Sequence, residues 1–329
     1  METAAEQSSG SQTGTEQSGR DQTGTLQKEG QNLTEETRTG IIIKGIGGFY
    51  TVMTADGENF VCKARGLFRK LGKTPIVGDR VGFSLKNGTG YLLEIYERKN
   101  ELIRPSAANI DKLIIVVSAG KPEADLLLAD KLLICCEQMN IEPVIIINKC
   151  DDDPENHAEQ IASEYRPSGY KIYKVSAALG TGMDDIRKEL TGCVSCLAGQ
   201  SAVGKSSIIN AVLPGMELKV GSVSRKTEKG RHTTRQVELI PLPQGGALLD
   251  TPGFSLLDNI TAEPEEIKNY YPELRRHKGE CRFTTCTHTA EPGCSVKTEL
   301  VGREFNENRY LRYVRLVKEA EEKRRHKYD

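Results

Sequence analysis

Read for hydrophobic and polar positions, the chain divides into four stretches. Residues 1–39 are Ser, Gly, Thr, Gln and Glu with almost no apolar position, and a ten-residue pattern runs from Glu6 to Thr15 and again from Glu16 to Thr25. Such a segment cannot bury enough apolar surface to offset the entropy of ordering it, so a disordered tail is expected. Residues 40–104 carry short apolar runs at 40–44, 49–53, 59–63, 80–84 and 91–95, separated by Gly, Asp and Asn. That spacing predicts an all-β barrel, with the OB-fold as its expected form. From Asp111 the pattern changes to strands at 112–117, 143–147, 171–175, 193–198, 236–240 and 247–249, alternating with helices at 125–139, 183–190 and 207–212. Alternation of this kind predicts a doubly wound α/β domain over 105–262. In its first helix Leu126, Leu127, Asp130, Leu133, Ile134 and Glu137 give mixed faces. Residues 263–329 are expected to form a small α domain ending in a helix over 303–325. There Tyr310, Tyr313, Val314 and Val317 share one face, flanked by Arg309, Arg312 and Arg315.

The candidate chemistry begins where strand 193–198 meets helix 207–212. Gly199, Gln200, Ser201, Ala202, Val203, Gly204, Lys205 and Ser206 match the phosphate loop G-x-x-x-x-G-K-[ST] at every fixed position. Its glycines let backbone N–H groups turn toward phosphate oxygens, and Ser207 continues that donor row into the helix. Lys205 reaches the β- and γ-phosphates, and the Ser206 hydroxyl suits a Mg²⁺ ligand.

Two further loops point to guanine. Strand 143–147 runs into Asn148-Lys149-Cys150-Asp151. Asp151 can accept from guanine N1–H and N2–H₂, a donor pair that adenine lacks. Asn148 can bond the base or brace the phosphate loop, and the Lys149 stem can lie against the purine. Strand 171–175 runs into Ser176-Ala177-Ala178, which resembles the loop whose backbone N–H meets guanine O6. Strand 247–249 runs into Asp250-Thr-Pro-Gly253. Asp250 suits an indirect Mg²⁺ anchor, and the Gly253 N–H can sense a γ-phosphate. Between them, Gly230-Arg-His-Thr-Thr-Arg235 is a switch candidate, with Thr234 first and Thr233 second as the hydroxyl completing the Mg²⁺ shell. In ordinary small guanine-nucleotide proteins the phosphate loop comes first and the base loops last. Here the base loops precede it, so the domain is circularly permuted, which compact α/β domains tolerate because their termini lie close together.

Cys281-x₄-Cys286-x-His288-x₅-Cys294 offers three thiolates and one imidazole, a full tetrahedral set for one structural Zn²⁺. Cys193 and Cys196 fall on opposite faces of a strand and read as core residues. The nine cysteines, several beside apolar runs, fit a reducing cytoplasm better than a disulfide scaffold. Net charge is −1, yet residues 40–104 hold eleven bases and six acids, and 265–329 hold fifteen and twelve. Lys63, Arg65, Arg69, Lys70 and Lys73 gather near the middle of the barrel stretch, where OB barrels often meet single-stranded nucleic acid. No apolar run is long enough for a membrane span, and no secretory leader is expected.

A basic barrel, a permuted nucleotide domain and a Cys/His-rich tail together resemble the ribosome small subunit-dependent GTPase A family, RsgA, over residues 40–329. Motifs 148–151, 199–206, 230–234, 250–253 and 281–294 fall where that family has them. The resemblance implies GTP hydrolysis to GDP and phosphate, stimulated by the small ribosomal subunit and its rRNA, and a role in late maturation of that subunit. It implies a cytoplasmic monomer using Mg²⁺ with GTP. Phe254 stands where many GTPases carry a water-orienting Gln. His232 is the nearest replacement and the one to which the resemblance points; an imidazole can orient or deprotonate water. Arg235 follows only two threonines, where many relatives carry a longer run. A competing reading is a nucleotide-gated RNA-binding module with negligible hydrolysis. A DNA-binding zinc protein has little beyond charge in its favour.

Overall fold

The structure, a computed structural model, describes residues 37–213, 237–250 and 262–328, apart from Arg65, Leu67, Arg69, Lys70, Leu71, Asn87, Arg104 and Lys278. Strands β1 (Thr37–Ile46), β2 (Phe49–Met53), β3 (Asn59–Ala64), β4 (Arg80–Lys86) and β5 (Thr89–Ile95) build the first body. They pair in the order β1-β2-β3-β5-β4, and β4 returns to β1, closing a five-stranded barrel with one parallel contact between β3 and β5. This is the expected OB-type barrel. Ile42, Val52, Cys62, Val81, Phe83 and Leu92 point inward and fill it. The first strand begins at Thr37, earlier than the expected boundary at residue 40. Thr37–Ile41 pair with Arg80–Ser84, so the backbone ladder recruits polar residues that hydropathy assigns to the tail.

A short hairpin, β6 (Glu101–Leu102) and β7 (Ala107–Ala108), leads into the α/β body. Its strands are β8 (Lys112–Ser118), β9 (Glu142–Asn148), β10 (Lys171–Lys174), β11 (Val194–Ala198), β12 (Glu238–Pro241) and β13 (Ala247–Asp250). They lie in the order β10-β9-β8-β11-β13-β12; the first five are parallel and β12 is antiparallel. Helices α1 (Leu126–Met139), α2 (His157–Tyr165), α3 (Met183–Leu190) and α4 (Lys205–Val212) make the crossovers. The strands have apolar layers on both sides, as a doubly wound sheet requires. Helix α2 has no counterpart among the sequence expectations. It is short, with Ala158, Ile161, Ala162 and Tyr165 inward, and Asp153 caps it by accepting from the His157 and Ala158 N–H groups at 2.7 and 2.8 Å. One rung, Lys44 opposite Glu238, continues the sheet from β12 into β1, with their side chains paired at 2.7 Å.

The third body holds α5 (Pro272–Arg276), the Cys/His loop and α6 (Glu307–Tyr328). Helix α6 starts four residues later than its periodicity indicates, where Asn306 Oδ1 accepts from the Asn308 N–H at 2.9 Å. Two of the three arginines that flank its apolar face are drawn into ion pairs with other elements. Arg309 is 1% exposed and bonds Asp130 and Glu273, the latter at 2.8 Å, while Arg312 bonds Asp130 at 2.5 Å and Glu164 at 2.6 Å. The Arg309 guanidinium also lies 4.8 Å from the ring centres of both Tyr165 and Tyr271. Both arginines therefore turn toward the α/β body, where Asp130 and Glu164 receive them, and Arg309 also holds Glu273 of α5; Arg315 stays on the surface, paired with Glu319.

Candidate nucleotide site and metal centre

All five parallel strands end at one edge of the sheet, which places the loops at 119–125, 149–153, 176–182 and 199–204, together with Asp250, on a common rim. This is where α/β sheets bind ligands. The phosphate loop leaves β11 through Gly199 at φ +135°; a Cβ there would stand 2.2 Å from the Val116 carbonyl oxygen. Gly204, at φ +98°, opens α4, and a Cβ there would stand 2.2 Å from Asn148 Nδ2. Both positions need glycine, the first to turn against β8 and the second to admit the base loop. Val203 is fully buried and anchors the loop, while Ser201 and Ala202 are exposed at its crest.

Asn148 joins the two halves of the site. Its Nδ2 donates to the Val203 carbonyl at 3.0 Å, and its Oδ1 accepts from the Ala177 N–H at 3.0 Å. Of the two roles open to it from the sequence, the structure gives it the bracing one. Lys149, at φ +65°, donates to Ala202 O at 2.8 Å and to Lys121 O, so its ammonium ties the phosphate loop to the loop after β8. Asp151 is exposed on the rim, while Ser176 is buried and holds the Leu179 N–H at 3.1 Å. Gln200, read from the sequence only as a loop position, accepts from the Asp125 N–H at 3.1 Å and thereby meets the start of α1. No spacing rule announces that contact.

Lys205 is half-buried and donates to Gly199 O at 2.8 Å and Gln200 O at 2.6 Å; burial lowers its pKa from the ordinary value. Ser206 and Ser207 follow on the first turn of α4. Asp250 ends β13, half-buried; burial and then Glu238 raise its carboxyl above the ordinary range. No cation among the described residues pairs with it, which fits a carboxylate placed to serve a bound cation. His232, Thr233, Thr234, Gly253 and Phe254 lie outside the described residues, as do Arg65, Arg69 and Lys70 of the expected barrel patch; Lys63 and Lys73 are exposed. A cleft of about 650 Å³ opens at the opposite edge of the sheet; of its lining charges Lys99 pairs with Asp111 at 3.1 Å and Lys112 lies 3.9 Å from Glu142.

Cys281, Cys286, His288 and Cys294 converge, with their ligand atoms all within 4.8 Å of one another. Cys281 Sγ and Cys294 Sγ are 3.9 Å apart, and each is 3.5 Å from His288 Nδ1. For a Zn–S bond of about 2.3 Å, a tetrahedron has edges of about 3.8 Å, so the four groups fit zinc. Burial lowers the His288 pKa, favouring the neutral ring that ligates, and pushes the Cys286 thiol up to about 12, so a metal must displace the proton from that sulfur in order to bind it. His288 takes φ +62°, a strained position braced by Tyr310, whose hydroxyl donates to its carbonyl at 2.9 Å. Glu291 accepts from the Thr287 and Thr289 N–H groups on either side.

Comparison with known proteins agrees across nearly the whole chain. The family model for the RsgA GTPase matches residues 95–260, and that for the RsgA N-terminal domain matches 39–92. The small ribosomal subunit biogenesis GTPase RsgA of Halalkalibacterium halodurans is 45% identical over 293 residues, covering 88% of this chain and 99% of that protein. Its namesake from Ruminiclostridium cellulolyticum is 44% identical over 283 residues, covering 85% and 92%. Among solved structures, YjeQ from Thermotoga maritima superposes with a TM-score of 0.76 at 35% identity, covering 87% of this chain and 99% of that one. YloQ, described as a circularly permuted GTPase, superposes at 0.73 with 34% identity, covering 88% and 96%.

Proposed function

The chain belongs to the RsgA family of circularly permuted GTPases, and on that premise we propose that it hydrolyses GTP in response to the small ribosomal subunit, acting in the biogenesis of that subunit. A member of this family is a GTP hydrolase. The observation that carries the reading is Asn148, which braces a guanine-reading loop against a phosphate loop 55 residues further along the chain, on one rim.

In this proposal Asp151 reads guanine N1–H and N2–H₂, and the 176–177 turn closes over O6. The N–H groups of 200–207 surround the phosphates, and Lys205 leaves its two loop carbonyls for the β- and γ-oxygens. Ser206 and Thr234 would hold Mg²⁺, which supplies neutralising charge there, with Asp250 behind it. Gly253 would sense the γ-phosphate and His232 would orient the attacking water. One zinc ion held by Cys281, Cys286, His288 and Cys294 would cross-link the third body. The domains are a tail ahead of Thr37, a barrel over 37–104, the GTPase domain over 105–262 and the zinc domain over 263–329. The protein works as a cytoplasmic monomer against rRNA; among the described residues no helix is long and apolar enough to cross a membrane.

Phosphate release measured with and without small subunits tests this. Turnover should rise steeply with subunits for the unaltered protein and much less for His232→Ala, with GTP binding retained. Equal rates with and without subunits would refute the partner.

A further inference from the structure

Beyond the four candidate ligands, two more side chains are aligned on the metal centre. Ser295 follows the ligand Cys294 and is 6% exposed. Its Oγ lies 3.4 Å from Cys281 Sγ and 3.0 Å from His277 Nε2. A hydroxyl has one proton to give and two lone pairs with which to accept. If His277 Nε2–H donates to Ser295 Oγ, the Ser295 proton is free to point at the sulfur. Cys281 is thus within reach of a side-chain hydroxyl, whereas Cys286 receives the His288 N–H at 3.4 Å.

We propose that His277 and Ser295 form an outer hydrogen-bonding relay for the zinc centre, in which His277 fixes the Ser295 hydroxyl and Ser295 donates to the Cys281 thiolate. They are positioning residues, and the inference rests on the zinc reading given above. Donors to a thiolate draw off charge, make it a poorer nucleophile and hold it in the orientation that the metal requires. The relay also has a structural address. His277 directly follows α5, and Arg275 and Arg276 of that helix bond Glu137 of α1 and the Ser168 carbonyl, the latter at 3.3 Å. The metal centre is thus oriented from the same segment that seats the third body on the GTPase domain.

Full-length protein loaded with Zn²⁺, and separately with Co²⁺ as a spectroscopic substitute, tests the relay. Zinc affinity is read by competition with a chromophoric chelator, and thiolate character by the sulfur-to-cobalt charge-transfer band. Ser295→Ala should weaken zinc binding about tenfold or more and move the band to lower energy, while Ser295→Thr, which keeps the hydroxyl, should restore both. His277→Leu should produce a smaller change in the same direction, and adding it to Ser295→Ala should produce nothing further. Unchanged affinity with an unmoved band in Ser295→Ala overturns the proposal, as do fully additive effects of the two substitutions. Absence of stoichiometric zinc from the unaltered protein would instead remove the zinc reading itself.

Discussion

At the scale of single residues, the site depends on which groups are spoken for and which are left open. Asn148 spends both ends of its amide on protein partners, and Lys149 spends its ammonium on two carbonyls, so neither is the principal reader of the base. Asp151 is an exposed carboxylate of that loop, and in the proposed function discrimination falls to it. Asp151→Asn should reverse the preference from GTP toward XTP, because an amide offers a donor where xanthine carries a carbonyl. Loss of charged hydrogen bonds worth about 1.5–3 kcal/mol corresponds to roughly 10–150-fold in GTP affinity; competition binding of the two nucleotides measures it, and a retained GTP preference would show that another group reads the base. Glu189 sets a second residue-scale expectation. Burial alone would raise its carboxyl, but Lys112, Lys171 and Tyr173 bring it down to about 2 from an ordinary 4.5. Because the folded value is the lower one, this cluster stabilises the fold in full above pH 4.5 and loses its contribution as pH falls from 4.5 toward 2. Glu189→Gln should lower the melting temperature at pH 7 and flatten its acid decline; the same acid slope in the variant would assign the decline to other carboxylates.

At the scale of elements, α1 explains both what the sequence makes legible and what it hides. The strand and helix positions follow the apolar runs closely, and the phosphate loop, base loops and Cys/His cluster are legible because each is a short fixed spacing. The mixed faces of α1 carry no such rule. Ala129, Leu132, Leu133 and Cys136 serve the sheet core, while Ile134 joins the core of the third body and Asp130, Lys131 and Glu137 bond its helices. A helix buried on two sides shows no single stripe, and only the tertiary partners say why. The same contacts, made across 179 residues between Asp130 and Arg309, turn Arg309 and Arg312 of α6 inward, which the helix's own periodicity does not announce. Arg309→Ala leaves Glu273 buried without its cation, while Asp130 keeps only Arg312, a loss of about 3–5 kcal/mol. The third body should then become susceptible to limited proteolysis while GTP affinity changes little. Resistance equal to that of the unaltered protein would mean that apolar packing alone seats this body.

At the scale of the whole molecule, α1 touches the phosphate loop at Asp125 and carries the third body along its length. A nucleotide that repositions Gln200 therefore acts on a helix to which the third body is bonded, and by linkage a partner that prefers one pose must favour the matching nucleotide by the same factor. Sedimentation with small subunits should show stronger binding with a non-hydrolysable GTP analogue than with GDP; equal binding would remove the coupling. The single rung between Lys44 and Glu238 concerns the order of events in time. The barrel strands find one another within one short segment, whereas this rung closes a span of 194 residues. Closing so long a loop is slow, and contacts of high sequence separation form late. The barrel can thus fold first and wait, and β12 becomes available to it only after the phosphate loop and the residues beyond it have been laid into the sheet. Pairing of β1 with β12 is then a late step of folding, made after the barrel has docked through its neighbours in sequence, such as Val77 with Ala107.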